Sequence, residues 1–338
     1  MNLKSSLNAL IIIISLIALV YFCLSENGFS DLIFNIKNLN IFWFIMSFIS
    51  HFLNITIDSI IIFILTKNIK NDYKFKQALK TCAVGQFFSS ITPGGVAGQP
   101  MQVYSMSKQN VSTGNSSSVL IQRFLIYQTT ITIYGLIFIL WKRSYFTKQI
   151  SKMTNLLMLI GLASHAFIIF LLLIFSLKRK FTENLINIFI KLISKLKLIK
   201  NPEKQILKIK TQLDSFHKNN SELYKNSILL LKLYLLTIVQ LFCIFVIPYL
   251  IYRAFNFNQA NIFDILAAQS FVMMCTSLFP MPGGAGAAEI SFFAFFSNFF
   301  INNTLKPAML LWRIITYFLT ILVTAPFSRI KKHNESIQ

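Results

Sequence analysis

The fold is decided by two glycine-rich stretches that interrupt apolar sequence: residues 89–104, SSITPGGVAGQPMQVY, and residues 276–293, TSLFPMPGGAGAAEISFF. In each, a Pro-Gly-Gly triplet follows an apolar half-helix that carries serine and threonine. Proline removes a backbone N–H and clashes with the preceding turn, and glycine adopts conformations that other residues avoid. We therefore predict a broken helix at each triplet. The predicted hinge residues are Pro93, Gly94, Gly95, Pro282, Gly283 and Gly284.

Each triplet is followed by an apolar segment with an arginine and, four residues later, a tyrosine. The first copy has Arg123, 30 residues after its triplet begins, and Tyr127; the second has Arg313, 31 residues after its triplet begins, and Tyr317. Each pair is one helical turn apart on one face. The order of elements also repeats: span, span, broken hairpin, span. We predict an inverted-topology repeat, in which paired broken helices mark a central substrate site.

Composition indicates a membrane protein. Of the 338 residues, 55% are hydrophobic, 13% are charged and 35 are phenylalanine, and the mean hydropathy is +0.62. A soluble domain usually carries about 25% charged residues, so this sequence has about half the charge that a soluble surface needs. The four cysteines lie singly in apolar segments. A water-soluble enzyme, a disordered tail and a secreted disulfide scaffold are therefore excluded.

The apolar segments define the predicted membrane topology, because a spanning helix needs about 20 apolar residues. We predict an all-α integral membrane protein with about six spans and two re-entrant hairpins, 76–107 and 262–302. The predicted spans are Leu7–Leu24, Ile41–Leu65, Ser117–Leu140, Thr154–Ser176, Ile228–Tyr252 and Pro307–Phe327. The chain then divides into a first membrane half (1–140), a loop with the fourth span (141–176), a cytoplasmic amphipathic connector (177–227), the rest of the second half (228–330) and a cytoplasmic tail (331–338).

The charge is strongly basic, with 32 Lys and Arg against 11 Asp and Glu, a net +21. These charges fall between spans, which favours positive-inside anchoring to an anionic leaflet over nucleic-acid binding. An AT-rich genome is an alternative source of part of the lysine excess. We expect a multi-pass protein of the cell membrane with both termini cytoplasmic. Loop 141–153 disagrees with this orientation, since it is basic yet falls on the outer side.

The connector is basic and amphipathic. Its apolar stripe is formed by Leu185, Phe189, Leu192 and Leu196, and Pro202 interrupts the pattern before a second amphipathic run, 203–216. This pattern predicts a pair of interfacial helices on the cytoplasmic surface. A solvated connector with charged helices is the alternative.

The candidate binding residues lie near the two triplets. Glu289 begins the helix that restarts after the second triplet, and an intramembrane carboxylate is expensive enough to indicate a polar role. The alternative is an acid that satisfies the helix dipole. We interpret Arg123 and Arg313 as phosphate contacts, one for each leaflet, with Tyr127 and Tyr317 as hydrogen-bond donors. Snorkelling to the membrane surface is the alternative for both arginines.

Other polar residues are less specific. His51 and Asp58 share a face of the second span, where they form a proton relay, pair with an arginine or join helices as polar contacts. We expect His165 to be a core or interfacial histidine, and the phenylalanine-rich run 292–300 to face lipid. The sequence has no phosphate-binding loop, no metal-ligand cluster and no nucleophile motif. We expect no metal and no cofactor.

The motifs TPGGVAGQPMQVY, PMPGGAGAAE and WRIITYF resemble the transmembrane region of lysylphosphatidylglycerol synthases, also called multiple peptide resistance factors. The resemblance extends from about residue 5 to 330. It implies a flippase that moves aminoacylated phosphatidylglycerol to the outer leaflet, beside a separate C-terminal domain that transfers lysine from lysyl-tRNA. The sequence ends eleven residues after Phe327, so we expect lysine transfer only with a separate soluble aminoacyltransferase.

The first motif departs from this family. Where many members have a glutamate and then an arginine around the proline, this sequence has Gln99 and Gln102, whereas Glu289 retains the acid of the second motif. The resemblance therefore implies a headgroup site that includes Gln99 but is uncharged there, and it leaves coupling to protons open.

The leading hypothesis is a protein that translocates or binds anionic or aminoacylated phospholipid, such as lysyl-phosphatidylglycerol; a polyprenyl-phosphate carrier is an alternative substrate. Without an ATP site it would work by scrambling, by a gradient or downhill from synthesis. Two other functions stay open: a phosphatidylglycerol lysyltransferase acting with a soluble domain, and a proton-coupled small-solute transporter that uses Asp58, His51 and Glu289. The oligomeric state is left open.

Overall fold

The structure, a computed structural model, describes residues 37–149, 152–195, 202–300 and 302–328. The predicted span Leu7–Leu24 and the tail 331–338 lie outside these residues. The described residues form helices and no strand. The helices are α1 Ile41–Lys67, α2 Phe75–Ile91, α3 Gly98–Ser107, α4 Thr113–Gln149, α5 Lys152–Leu177, α6 Arg179–Lys195, α7 Pro202–Lys225, α8 Ser227–Phe245, α9 Ile247–Ala254, α10 Ile262–Thr276, α11 Ala287–Phe296, α12 Leu305–Arg313 and α13 Leu319–Thr324.

Within the described residues, five helical segments are long and apolar enough to cross a bilayer. They are Ile41–Lys67, Thr113–Lys142, Asn155–Leu177, Ser227–Ala254 and Leu305–Ser328. These segments coincide with five of the six predicted spans, so the prediction of an all-α membrane protein is confirmed. The last segment contains a π-helical turn, Ile314–Phe318, between α12 and α13.

Both Pro-Gly-Gly triplets form a single 3₁₀ turn between two helices, one joining α2 to α3 and the other joining α10 to α11. Gly94 and Gly283 have nearly the same backbone conformation, with φ of 60° and 58° and ψ of 12° and 17°. This left-handed region is open to glycine and costly for residues with a Cβ. The two copies therefore share their backbone geometry as well as their sequence.

The two hairpins open towards opposite ends of the helical bundle. At one end, which we call the connector end, Tyr73 donates to Oε1 of Gln109 at 2.8 Å and thereby closes the open end of the α2–α3 hairpin. At the opposite end, Lys142 of α4 pairs with Asp264 of α10, with Nζ 2.7 Å from Oδ1. Tyr73 lies outside the spans, and burial raises the pKa of its phenol to about 12, so it stays a neutral donor.

The tips of the two hairpins meet between these ends. The two 3₁₀ turns contact each other, and Gly94 lies beside Pro280. Tyr317, in the π-helical turn, donates its hydroxyl hydrogen to the carbonyl oxygen of Ser90 at 3.2 Å. Pro282 and Gly284 of the second triplet are buried in protein, whereas Pro93 and Gly94 of the first triplet are exposed.

The prediction that the phenylalanine-rich run 292–300 faces lipid is wrong. Phe292, Phe296 and Phe300 are buried, and Phe292 stacks on Trp312 of α12 with ring centroids 5.0 Å apart. These rings pack α11 against α9, α10 and α12 in a single apolar cluster. A short helix in a hairpin is surrounded by longer helices, so its aromatic side chains fill the core.

The segment predicted as loop 141–153 is mostly helical, because α4 continues to Gln149 and α5 begins at Lys152. The basic residue Lys142 has a local acidic partner in Asp264.

The connector forms two helices, with α7 beginning at Pro202, and it packs on the spans by polar contacts. Its amide groups bond to α4: Gln212 Oε1 accepts from the Gly114 N–H at 2.5 Å, and Asn220 Oδ1 accepts from Ser118 at 2.8 Å.

The matched glycines allow a test of the tip packing. A Cβ on Gly283 would clash with the ring of Tyr317, whereas a Cβ on Gly94 would make an ordinary contact with Pro280. Gly94→Ala should lower the free energy of unfolding by about 1–2 kcal/mol from backbone strain. Gly283→Ala should lower it by roughly 1–3 kcal/mol more from overpacking. Unfolding of both variants in detergent measures the difference, and equal losses would contradict this packing.

Candidate functional site

A half-enclosed cleft of about 590 Å³ lies beside the first Pro-Gly-Gly turn, between α1, α2, α3 and α4. Its walls combine side chains of these helices with the backbone of the turn. The lining residues are Asp58, Gly85, Gln86, Ser89, Gly94, Gly95, Val96, Gln99, Pro100, Gln102, Arg123, Phe124 and Tyr127. The break thus supplies part of the wall of a cavity, which is one of the two settings in which irregular backbone is stable at membrane depth.

The charged side chains that line the cleft in the described part of the chain, Asp58 and Arg123, form an ion pair. Arg123 donates from Nε to Oδ1 of Asp58 at 2.5 Å, and its Nη2 lies against the same oxygen. The other carboxylate oxygen, Oδ2, accepts from the Cys82 thiol at 3.0 Å and from Gln86 Nε2 at 3.4 Å. Both oxygens of Asp58 are therefore engaged, which offsets the cost of burying its charge.

The two partners differ in exposure. The side chain of Asp58 is 1% exposed, and that of Arg123 is 19% exposed. A guanidinium group has five N–H donors, and the described residues provide acceptors only for those on Nε and Nη2 that face Asp58. The Nη1 donors have no acceptor among the described residues. The cleft is therefore lined by a partly exposed cation, Arg123, whose counter-charge, the Asp58 carboxylate, is buried.

Two amide side chains complete the polar wall. Gln102 is 4% exposed and packs across Gly85, where a Cβ would clash with the glutamine amide. Neither Gln102 nor Gln99 has a hydrogen-bond partner among the described residues, and both line the cleft. An amide donates and accepts, so these side chains are free to bond a ligand that does the same. Tyr127 lines the cleft one turn after Arg123.

The second triplet has its own ion pair, but no residue of that pair lines the cleft. Arg313 donates from Nε to Oε1 of Glu289 at 2.6 Å and from Nη1 to the carbonyl oxygen of Gly283 at 2.9 Å. Its guanidinium also lies 5.1 Å from the ring centroid of Tyr317, and its side chain is only 6% exposed. Glu289 Oε2 accepts from the Gly286 N–H at 2.6 Å, which caps α11.

The two predicted half-sites therefore differ in the structure. Arg123 faces a cavity, whereas Arg313 holds a carbonyl of its own triplet and packs on Tyr317. Tyr317 in turn reaches Ser90 of the first hairpin. The second arginine stabilises the break and the contact between the tips, since it satisfies backbone that would otherwise be orphaned.

His51 and His165 do not line the cleft. His51 is joined through Nε2 to Thr320 at 3.0 Å, and Asp58 is joined to Arg123, so the two residues contact different partners. His165 is buried between Gln128 and Ser277, as expected of a core histidine. Among the described residues there is no group of three His, Cys, Asp or Glu side chains that could hold a metal.

The sequence analysis did not identify the hydrogen-bond donors that surround the Asp58 carboxylate. Cys82 and Gln86 are on α2, one turn apart, and both reach the Asp58 carboxylate. A periodicity of four in polar residues along α2, from Cys82 through Gln86 to Ser90, could have indicated a polar face. Pairing of Asp58 with an arginine was one of three alternatives, and it is the one the structure adopts.

These helices, breaks and ion pairs define a polytopic all-α membrane protein with a polar cleft at a broken hairpin. The chain belongs to the family described as the lysylphosphatidylglycerol synthase TM region, whose model matches residues 7–323. The resemblance drawn from the motifs is thereby confirmed. A UPF0104 membrane protein of Archaeoglobus fulgidus is 28% identical over 263 residues, which cover 74% of this chain and 75% of that protein.

The Asp58–Arg123 pair makes a stability prediction. Asp58→Asn should lower the free energy of unfolding by about 3–5 kcal/mol, because it leaves a largely buried cation without its counter-charge. Asp58→Asn combined with Arg123→Gln should recover most of that loss. Thermal unfolding in detergent measures both.

Glu183→Gln is the control for this comparison. It removes one partner of the exposed Arg179–Glu183 pair on the connector, and it should change stability little. A double variant as unstable as the single variant would show that the carboxylate has a role apart from pairing with Arg123.

Proposed function

We propose that this protein binds anionic or aminoacylated phospholipid in the cleft at the first triplet and moves the headgroup between leaflets. The observation that carries the proposal is the Arg123 guanidinium, which presents unused N–H donors to a cleft at a broken hairpin. Guanidinium groups bind phosphate by paired, charge-assisted hydrogen bonds. Family membership supports the same conclusion, since the resemblance implies lipid translocation.

The cleft has apolar walls as well as polar ones. Val96, Pro100 and Phe124 line it beside Arg123, and Val96 is 72% exposed. A phospholipid joins a charged headgroup to acyl chains, so it matches a site with both kinds of surface. A small polar solute would gain nothing from the apolar wall, and this favours lipid over the solute-transport alternative.

The arrangement of the hairpins supports an inverted-topology repeat. The α2–α3 hairpin opens at the connector end and the α10–α11 hairpin at the opposite end, while their tips meet between them. We place the lysine-rich connector on the cytoplasmic side of the cell membrane. A lipid headgroup at Arg123 would then lie between the two faces of the bilayer, where alternating access needs its substrate.

Lipid exchange in proteoliposomes tests the proposal. The liposomes carry fluorescent phosphatidylglycerol in both leaflets, and dithionite added outside bleaches the dye in the outer leaflet. Fluorescence from the inner leaflet should also be lost, as the protein brings that lipid to the outer leaflet. The Asp58→Asn, Arg123→Gln double variant should slow this exchange at least tenfold, because it removes the phosphate-binding cation but keeps the shape of the pair. Arg179→Gln, an exposed arginine on α6, is the matched control and should exchange lipid at the wild-type rate.

Two outcomes would count against lipid translocation. Exchange at the wild-type rate in the double variant would exclude Arg123 as the phosphate contact. Incorporation of lysine into phosphatidylglycerol from charged tRNA, with no other protein added, would instead establish the lysyltransferase alternative.

Thiol labelling tests the opposed hairpins. Ser107→Cys lies at the open end of the first hairpin and Ser297→Cys at the open end of the second, and both positions are exposed. Cys82, Cys243 and Cys275 are buried, so with Cys23 replaced by serine they should give little background. A membrane-impermeant maleimide should label the two positions from opposite faces of oriented vesicles. Labelling from a single face would contradict the inverted repeat.

A further inference from the structure

We infer that the cleft selects anionic phospholipids whose headgroup beyond the phosphate is uncharged and rich in hydroxyl groups, and that it discriminates against aminoacylated, cationic headgroups. This inference rests on the proposed function and names the substrate class of the same site. It follows from which charges in the cleft are available to a ligand and which are already used.

A cationic headgroup is best stabilised by a carboxylate that is free to pair with it. Among the residues that the structure describes, the cleft is lined by a single carboxylate, that of Asp58, which is 1% exposed. Its Oδ1 is held by Arg123, and its Oδ2 accepts from Cys82 and Gln86. The other acid near a triplet, Glu289, is bonded to Arg313 and to the Gly286 N–H and does not line the cleft. A lysyl ammonium would therefore find no free carboxylate in the described lining of the cleft.

The aromatic residues of the cleft do not replace that carboxylate. A cation can rest on the face of an aromatic ring, and Tyr127 and Phe124 both line the cleft. However, Phe124 is the neighbour of Arg123 in sequence and Tyr127 is one helical turn away from it. A second cation near these rings would be repelled by the guanidinium, because like charges at short range disfavour each other.

The remaining polar groups suit hydroxyl groups. Gln99 and Gln102 line the cleft with amides that have no partner among the described residues. Each amide offers two donors and an acceptor, which complement a hydroxyl group that also donates and accepts. A phosphate on Arg123 with glycerol, inositol or sugar hydroxyls on the two glutamines would use the cation of the cleft and both of these amides.

Three lipids that carry the same fluorescent acyl chain test this inference in the dithionite assay: phosphatidylglycerol, lysyl-phosphatidylglycerol and phosphatidylcholine. Phosphatidylglycerol should exchange at least tenfold faster than either of the others. Exchange of lysyl-phosphatidylglycerol at an equal or higher rate would overturn the selectivity while leaving lipid translocation intact. Failure of all three lipids to exchange would instead overturn the proposed function and the inference with it.

A single substitution should reverse the preference. Gln99→Glu adds an available carboxylate to the cleft, so it should shift the ratio of phosphatidylglycerol to lysyl-phosphatidylglycerol exchange at least tenfold towards the lysyl lipid. Gln259→Glu, at an exposed glutamine distant from the cleft, is the matched control and should keep the wild-type ratio. An unchanged ratio in folded Gln99→Glu protein would overturn the role of Gln99. The ratio of phosphatidylglycerol to lysyl-phosphatidylglycerol exchange in the wild-type protein tests the selectivity itself, whatever the variant shows.

Free glycerol phosphate carries the same phosphate and hydroxyl groups as the lipid headgroup. A second experiment therefore distinguishes a soluble phosphate ester from a lipid as the substrate. Glycerol phosphate trapped inside the same proteoliposomes should be retained while labelled phosphatidylglycerol exchanges. Release of glycerol phosphate at a comparable rate would overturn the assignment to a lipid.

Discussion

The structure depends on satisfying backbone groups that two Pro-Gly-Gly triplets release from helices at membrane depth. Lipid offers these groups no hydrogen bonds, so the triplets must lie against protein or water. The chain meets this requirement by bringing the two tips together, with Tyr317 bonded to the carbonyl of Ser90 and Arg313 bonded to the carbonyl of Gly283. The hairpins, the contact between their tips and the cleft beside the first tip all follow from this requirement.

The two copies satisfy this requirement in different ways. In the second copy an arginine, a glutamate and a tyrosine form a closed set of contacts around the turn. In the first copy the acid comes from α1, so Asp58 holds Arg123 from behind and leaves part of its guanidinium facing a cavity. Arg123 therefore lines a cavity, whereas the side chain of Arg313 is 6% exposed and is held by its own triplet.

Much of the fold could be predicted from the sequence. Apolar run length located five spans, and proline and glycine located both breaks, because these signals depend on local chemistry. The phenylalanine run 292–300 shows the limit: composition alone does not distinguish a ring that faces lipid from a ring that packs in the core, since both surroundings are apolar. Likewise, pairing with an arginine was one of three alternatives for Asp58, and the particular arginine was not predicted, because Arg123 lies 65 residues away and its distance from Asp58 depends on how α1 packs against α4.

The contacts between the connector and α4 have a mechanical consequence. Asn220 of α7 accepts hydrogen bonds from Ser118 and from Gln122, and Gln122 directly precedes Arg123 in sequence. The connector is thus fastened to the helix that carries the cation of the cleft, within one residue of that cation. A displacement of α7 would therefore be transmitted to α4 at the residue that precedes Arg123.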